Sequence, residues 1–495
     1  MAAMKKLFAL VLLAVGSLAA VAQVARPKLV VGLVVDQMRW DYLYYYYDKF
    51  GTDGLRRLVD RGYSFENTMI NYVPTVTAIG HASIYTGSVP ALTGIAGNNF
   101  FENGESKYCV GDPTVKSVGC SSGAGRMSPR NLWASTMGDE LRIATDFKSK
   151  VIGVALKDRA AILPAGHSAN AAYWWDTKVG HFVTSTFYRN ELPDWVVAFN
   201  RKYRQKPGTE VKLMDLGVTL TFKMAEAVLE NEQLGQDDVT DLLAVSISST
   251  DAIGHQYSTR GPENESVYLQ LDRDLAAFFK VLDEKVGEGN YLFFLTADHG
   301  GAHNPNFMKR HGIPAGGFEG WTIGGKDLNA YLQQACGTTA KLVTGCNSFR
   351  VYLDHKAIAE AGLDLQQVKD KASAWLLQRP EVMYVADQPN IASQTIPQPI
   401  KERIINGWNA KRSGDLFIVT APGWLDATNA PDYKGTGHSQ WNPYDAHIPF
   451  VLYGWNVKPG STSEPTRIVD IAPTVCAMLH IQMPNACVGD AKQIK

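Results

Sequence analysis

Leu29-Val30-Val31-Gly32-Leu33-Val34-Val35 is an unbroken apolar run that ends on Asp36. Two further runs share its form. Leu242-Leu243-Ala244-Val245-Ser246-Ile247 leads through Ser248-Ser249-Thr250 to Asp251, and Tyr291-Leu292-Phe293-Phe294-Leu295-Thr296-Ala297 leads to Asp298-His299-Gly300. A strand with one wet face alternates apolar and polar residues, whereas a strand of a parallel sheet, covered by helices on both faces, stays apolar throughout. Helical spacing appears between the runs: Thr52 to Gly62, Leu213 to Asn231, and the stripe Val267, Leu271, Leu275, Phe278, Leu282 and Val286. The expected fold is therefore α/β, a mostly parallel central sheet with helices on both faces. Such sheets bind ligands beyond the carboxyl ends of their strands, which places Asp36, Asp251, Asp298 and His299 on one rim.

Other residues of the same chemistry join them. His255 follows Asp251 by four, a spacing that puts both side chains on one face of a helical turn, and His438 lies in the glycine-flanked loop Lys434-Gly435-Thr436-Gly437-His438-Ser439. An aspartate after a strand is by itself most often a cap or a turn former; the conjunction of all six groups reads instead as a two-metal phosphoryl-transfer centre. A hydroxyl is inert at neutral pH until a base or a metal lowers its pKa. Thr77, in Pro74-Thr75-Val76-Thr77-Ala78-Ile79-Gly80-His81, is the candidate nucleophile, with Thr75 and Ser83 as competitors. At the start of a helix running through Ala82-Ser83-Ile84-Tyr85 it would also present free N–H groups to an anion. Lys157 and Arg159 lie two apart after the strand candidate Val151 to Leu156, and side chains two apart on a strand point the same way. Together they suit a dianionic phosphoryl group, with Asn98 as a further donor. Asp415 to Thr420 and Pro449 to Tyr453 are further strand candidates, and Asp470 opens a terminal helix.

With 495 residues, 45% hydrophobic and 20% charged, the chain can bury one large core and carry insertions, expected at about 100–135 and 301–435. Residues 1–22 read as a cleavable secretory signal: Lys5 and Lys6, an apolar stretch Leu7 to Ala20, and Ala20-Val21-Ala22 before Gln23. The catalytic domain is then 23–495, periplasmic or secreted, with no stable membrane anchor. Removing the signal takes two lysines from 48 basic side chains and leaves 49 acidic ones, a mature charge of about −3. No basic tract marks a nucleic-acid surface. The six cysteines fall into three local pairs, which in an exported chain suggests disulfides Cys109–Cys120, Cys336–Cys346 and Cys476–Cys487; a zinc-thiolate site would want a C-x-x-C that is absent. A monomer is favoured.

These motifs resemble a family. Asp36 after its strand, Thr77-Ala78-Ile79-Gly80-His81, Gly97-Asn98-Asn99-Phe100, Leu156-Lys157-Asp158-Arg159, Ser249-Thr250-Asp251-Ala252-Ile253-Gly254-His255, Thr296-Ala297-Asp298-His299-Gly300 and Gly435-Thr436-Gly437-His438 together resemble the alkaline phosphatase superfamily. The likeness is nearest to the phosphate-irrepressible, threonine-nucleophile alkaline phosphatases of bacterial periplasm, and it runs in order along nearly the whole mature chain. It implies two Zn2+ per chain, one held by Asp36, Asp298 and His299 with Thr77 as fourth ligand, the other by Asp251, His255 and His438. It also implies a phosphothreonine intermediate on Thr77, recognition of small-molecule phosphate monoesters by Asn98, Lys157 and Arg159, and broad specificity. Manganese or cobalt suits the same ligands. The alternatives are a phosphodiesterase or nucleotide pyrophosphatase on the same scaffold, and a non-catalytic metal-containing binding protein. No role follows for His81, His303 or Asn99.

Overall fold

The computed structural model describes residues 25–494, so the expected signal segment lies outside the described residues. A ten-stranded sheet forms the centre. Its strands are β1 (Leu29–Val35), β2 (Tyr63–Phe65), β3 (Ser117–Val118), β4 (Val151–Ala155), β5 (Ala171–Asp176), β6 (His181–Ser185), β7 (Asp241–Ile247), β8 (Tyr291–Thr296), β9 (Phe450–Gly454) and β10 (Gly460–Thr462). Their order is β10-β2-β9-β8-β1-β7-β4-β5-β6-β3. The inner five, β8-β1-β7-β4-β5, are parallel, and β9 and β6 flank them antiparallel. Every residue of β1, β7 and β8 is buried, as uninterrupted apolar runs require. At roughly 1.5–3 kcal/mol for each large apolar side chain buried, these strands fix the register firmly. Val34 pairs with Ser246 on one side and Thr296 on the other, so the three chains leave the sheet level with one another.

The covering helices include α1 (Leu55–Arg61), α2 (Thr77–Thr86), α3 (Asp158–Ala165), α4 (Leu216–Asn231), α5 (Ser249–Tyr257), α6 (Pro262–Lys285) and α7 (Ile471–Leu479). Two start later than their spacing suggested. The carboxylate of Asp272, on α6, accepts from the backbone N–H of Gly51 and of Leu55, both at 2.7 Å, and so sets the start of α1. Residues Val211–Leu213 form a separate 3-10 turn before α4.

The region about 100–135 opens with a hairpin, Asn99–Glu102 against Glu105–Tyr108, and then returns to the central sheet as its edge strand β3. Within 301–435 a second, antiparallel sheet forms from Val343–Asn347, Arg350–Leu353, Leu416–Thr420 and Val382–Asp387, in that order. It has its own apolar core between Phe318 and Val419, joined from the large sheet's side by Val73. The expected strand Asp415 to Thr420 belongs here. None of the six cysteines is bonded to another in this structure, so the expected pairing of Cys109 with Cys120, Cys336 with Cys346 and Cys476 with Cys487 is not shown. Cys109 lies at the base of the hairpin, its N–H on Asn98 O, and the Cys120 thiol lies against Ser122.

Arg350 joins the two sheets. It is buried, and its guanidinium donates to the backbone carbonyls of Val73, Ala96 and Gly407. Truncation strands the buried carbonyls of Val73 and Ala96, each costing about 1–3 kcal/mol, while Gly407 O keeps a 3.3 Å bond from Ser413 Oγ. Arg350→Ala is expected to lower unfolding free energy by at least about 2 kcal/mol in a urea titration; a loss under about 1 kcal/mol would show the carbonyls to be satisfied otherwise.

Candidate active site

Beyond Val35 the chain turns sharply. Asp36 N donates to Ile247 O at 3.1 Å and Thr250 Oγ1 donates to Asp36 O at 2.6 Å, tying the end of β1 to the end of β7. Gln37 then adopts a left-handed backbone, φ 63°, a conformation side chains other than glycine take at a cost. The turn aims its N–H at Asp298 Oδ1, 3.1 Å, and its amide Nε2 at Asp251 Oδ1, 2.8 Å. One residue thus links the carboxylates that follow three strands. Gly254 leaves room for it, since a Cβ there would meet Gln37 Oε1 at 2.0 Å. Gly80 on α2 similarly lets the helix pack against the Asp298 backbone, whose oxygen a Cβ would meet at 2.3 Å.

Two groups of ligand atoms result. In the first, His299 Nε2 lies 3.5 Å from Asp36 Oδ1 and 3.6 Å from Asp298 Oδ2. In the second, Asp251 Oδ1 lies 3.1 Å from His255 Nε2 and 3.7 Å from His438 Nε2, and the two imidazole nitrogens are 3.1 Å apart. His299 bridges the groups: its nitrogen is also within 4.8 Å of ligand atoms of Asp251 and His438, and its ring stacks on His438 with centroids 3.7 Å apart.

The imidazoles face inward in the tautomer that metals need. Nδ1 of His255, His438 and His299 contacts the carbonyls of Thr436 (3.0 Å), Thr75 (2.6 Å) and Gly300 (2.9 Å). A carbonyl only accepts, so Nδ1 carries a proton and Nε2 is the atom a neutral ring leaves for a metal; burial opposes charging of His255, but the Asp251 carboxylate outweighs it and holds that imidazole above its ordinary pKa. Burial holds His299 below its ordinary pKa, and burial with the neighbouring His299 and His255 holds His438 well below. Among carboxylates, burial and repulsion from Asp251 and Asp298 push Asp36 well up; burial also opposes ionisation of Asp251, but His255 and Lys157 outweigh it and hold that carboxyl well down. Asp36 Oδ1, Asp298 Oδ2 and His299 Nε2 are buried with no hydrogen-bond partner. Three orphaned acceptor atoms around one point fit a cation, and the Asp/His donor set fits a divalent metal.

The remaining predicted residues gather on the same side. Thr77 is the first residue of α2, and the next N–H, from Ala78, donates to Asn98 Oδ1 at 2.9 Å. Lys157 Nζ donates to Asp36 Oδ2 at 2.6 Å and to Asp251 Oδ2 at 2.5 Å, spanning the two groups. Thr77, Asn98, Lys157, Arg159, Asp251, His255 and His438 line an open cleft of about 540 Å³, whose rim adds Lys212 and Gln256. Neither competing hydroxyl faces it. Thr75 Oγ1 is engaged by Gln440 O and Ser439 N, and Ser83 is buried further along α2. His81, which had no sequence-derived role, supports the site from behind: Nδ1 lies 2.9 Å from Thr77 O and 3.2 Å from Asp298 Oδ2, and Nε2 2.8 Å from Ser246 Oγ. His303 pairs with Thr259, and the exposed Asn99 offers its carbonyl to Asn347.

A model of the type I phosphodiesterase / nucleotide pyrophosphatase family matches residues 30–444. The chain belongs to this family. Within it, the chain is 46% identical to alkaline phosphatase PafA of Elizabethkingia meningoseptica over 94% of both chains. It is 45% identical to alkaline phosphatase PhoV of Synechococcus elongatus over 94% of this chain and 92% of that one. The crystal structure of wild-type PafA superposes with a TM-score of 0.90 at 45% identity, covering 94% of this chain and 98% of that chain. The family's fold and the Asp/His groups together indicate a metal cofactor.

Such a cofactor binds the folded chain far better than the unfolded one. Exhaustive chelation should lower the thermal midpoint by several degrees and restored divalent metal should recover it, since ligand at 100 times its Kd adds about 2.7 kcal/mol of stability. A midpoint indifferent to both treatments would rule out a resident metal.

Proposed function

We propose that this chain is an exported alkaline phosphatase of broad specificity that hydrolyses small-molecule phosphate monoesters through a phosphothreonine at Thr77. Two zinc ions would be held by Asp36, Asp298, His299 and Thr77 and by Asp251, His255 and His438. Mixed Asp/His ligation suits zinc, with manganese or cobalt as substitutes where they prevail. The observation that carries the reading is the meeting of a buried threonine, two inward-facing Asp/His groups and two cations on one cleft. Export rests on the Met1 to Ala22 pattern; among the described residues no helix is long and apolar enough to cross a membrane.

When bound, the metals supply positive charge that lowers the pKa of a hydroxyl and offsets charge on phosphoryl oxygens. The Thr77 oxygen then attacks phosphorus in line with the departing ester oxygen; one P–O bond forms as the other breaks, and the alcohol leaves with a proton. Water cleaves the phosphothreonine in a second displacement and regenerates the hydroxyl. His255, His438 and His299 would each present Nε2 as the ligand atom, their Nδ1 protons being committed to backbone carbonyls. Asn98, anchored on the Ala78 N–H through its oxygen, has its amide N–H groups left for the phosphoryl group. Lys157 and Arg159 balance charge on the non-bridging oxygens, where positioning and electrostatics account for most of the catalysis.

Two cations in the cleft favour the monoester dianion over the singly charged diester. The family also contains phosphodiesterases, which makes the diester reading the one to test against. Metal-quantified protein should carry about two zinc ions per chain and cleave an aryl phosphate monoester faster than the matching diester at alkaline pH. A faster diester would reverse the assignment, and full metal with no turnover on either would indicate a binding protein. Thr77→Ala should abolish turnover while metal content stays near that of the parent. Replacing Lys157 and Arg159 by Ala should lower monoester kcat/KM by roughly a hundredfold or more and diester kcat/KM far less; equal losses would remove the basis for the monoester preference.

A further inference from the structure

The phosphoryl-facing cation Arg159 does not stand alone. Its Nη1 donates to the hydroxyl of Tyr108 at 3.1 Å, that hydroxyl donates to Asp158 Oδ1 at 2.5 Å, and the same carboxylate oxygen accepts the N–H of Arg159 at 2.6 Å. Each role in this circuit is forced. A carboxylate accepts only and a guanidinium donates only, so the single phenol proton points to Asp158 and the phenol lone pairs point to Arg159. With Nη1 committed, Nε is buried without a partner. The Nε edge is the one that forms paired hydrogen bonds with two oxygens of an oxyanion.

Tyr108 is also coupled to Asn98. Tyr108 pairs with Asn99 across the hairpin, and Cys109 N donates to Asn98 O at 3.0 Å. One two-stranded unit therefore carries Asn98 and places the anchor of Arg159.

We infer that Tyr108 is a positioning residue: it sets the orientation of the Arg159 guanidinium, and with it part of the preference for a terminal phosphoryl group over a diester. The inference rests on the assignment of Arg159 to phosphoryl recognition. Burial and the Asp158 carboxylate hold the phenol well above its ordinary pKa, which keeps the donor proton in place at alkaline pH. Asp158 is fixed in turn as the first residue of α3.

The test is a double-mutant cycle on the metal-loaded enzyme. Tyr108→Phe removes one oxygen and should lower monoester kcat/KM roughly tenfold, weaken inhibition by inorganic phosphate by a similar factor, and change diester kcat/KM by less than about twofold. Metal content should not move. In an Arg159→Ala background the same substitution should add nothing. Equal losses in both backgrounds, or equal losses on both substrates, overturn the inference. Asp158→Asn gives the same comparison should Tyr108→Phe fold poorly. If Arg159→Ala itself leaves the monoester-to-diester ratio unchanged, the phosphoryl assignment fails and this inference falls with it, an outcome distinct from additive losses.

Discussion

Three carboxylates, Asp36, Asp251 and Asp298, are buried side by side where three adjacent parallel strands end, and their mutual repulsion is the constraint around which this end of the molecule is organised. Isolated buried anions are not tolerated; they are paired, protonated or bound to a metal. Nothing in the strands themselves supplies compensation, since β1, β7 and β8 are almost wholly apolar. The charge must be met from above the rim. Lys157 meets part of it from the end of β4, reaching both Asp36 and Asp251. The inward Nε2 atoms and the orphaned carboxylate oxygens mark what a single ammonium cannot satisfy.

Holding such a cluster open requires rigid support, and most of it is backbone. Carbonyls of Thr75, Gly300 and Thr436 set the imidazole tautomers. The Gln37 and His299 N–H groups both donate to Asp298 Oδ1. His81, deep in α2, touches Asp298 and the carbonyl of Thr77, so the helix that presents Thr77 also bears on the Asp298 carboxylate. Preorganisation of this kind means the site is not reshaped when charge develops during reaction.

The central sheet was legible because strands covered on both faces have to be continuously apolar, and the site was legible because its acids terminate those strands. His255 could be placed by its four-residue spacing, which the observed α5 turns into a 3.1 Å contact with Asp251. Gln37 could not: a left-handed glutamine leaves no local sign, and its partners lie more than 200 residues away. Tyr108 was hidden for another reason, sitting in a segment read as an insertion whose alternation is too short to show a strand. The second sheet was legible only at Leu416–Thr420, its most buried strand, since Val382–Asp387 is partly exposed and mixed in character.

The second sheet is more than an appendage. Arg350 grips the carbonyl of Val73, four residues before Thr77, and that of Ala96, two residues before Asn98. Arg412 bonds Glu102 Oε1 at 2.8 Å and lies over Phe100, and Tyr352 packs on Phe101, so the hairpin ending in Tyr108 is clamped along its length by the same module. Three elements of the proposed phosphoryl site, the start of α2, Asn98 and the anchor of Arg159, are therefore all referenced to one body. The Asp/His groups are referenced to the other, through strand ends and Gln37. The relation between the Asp/His groups and the proposed phosphoryl clamp thus runs through the joint between two cores, where the buried Arg350 guanidinium holds three backbone carbonyls.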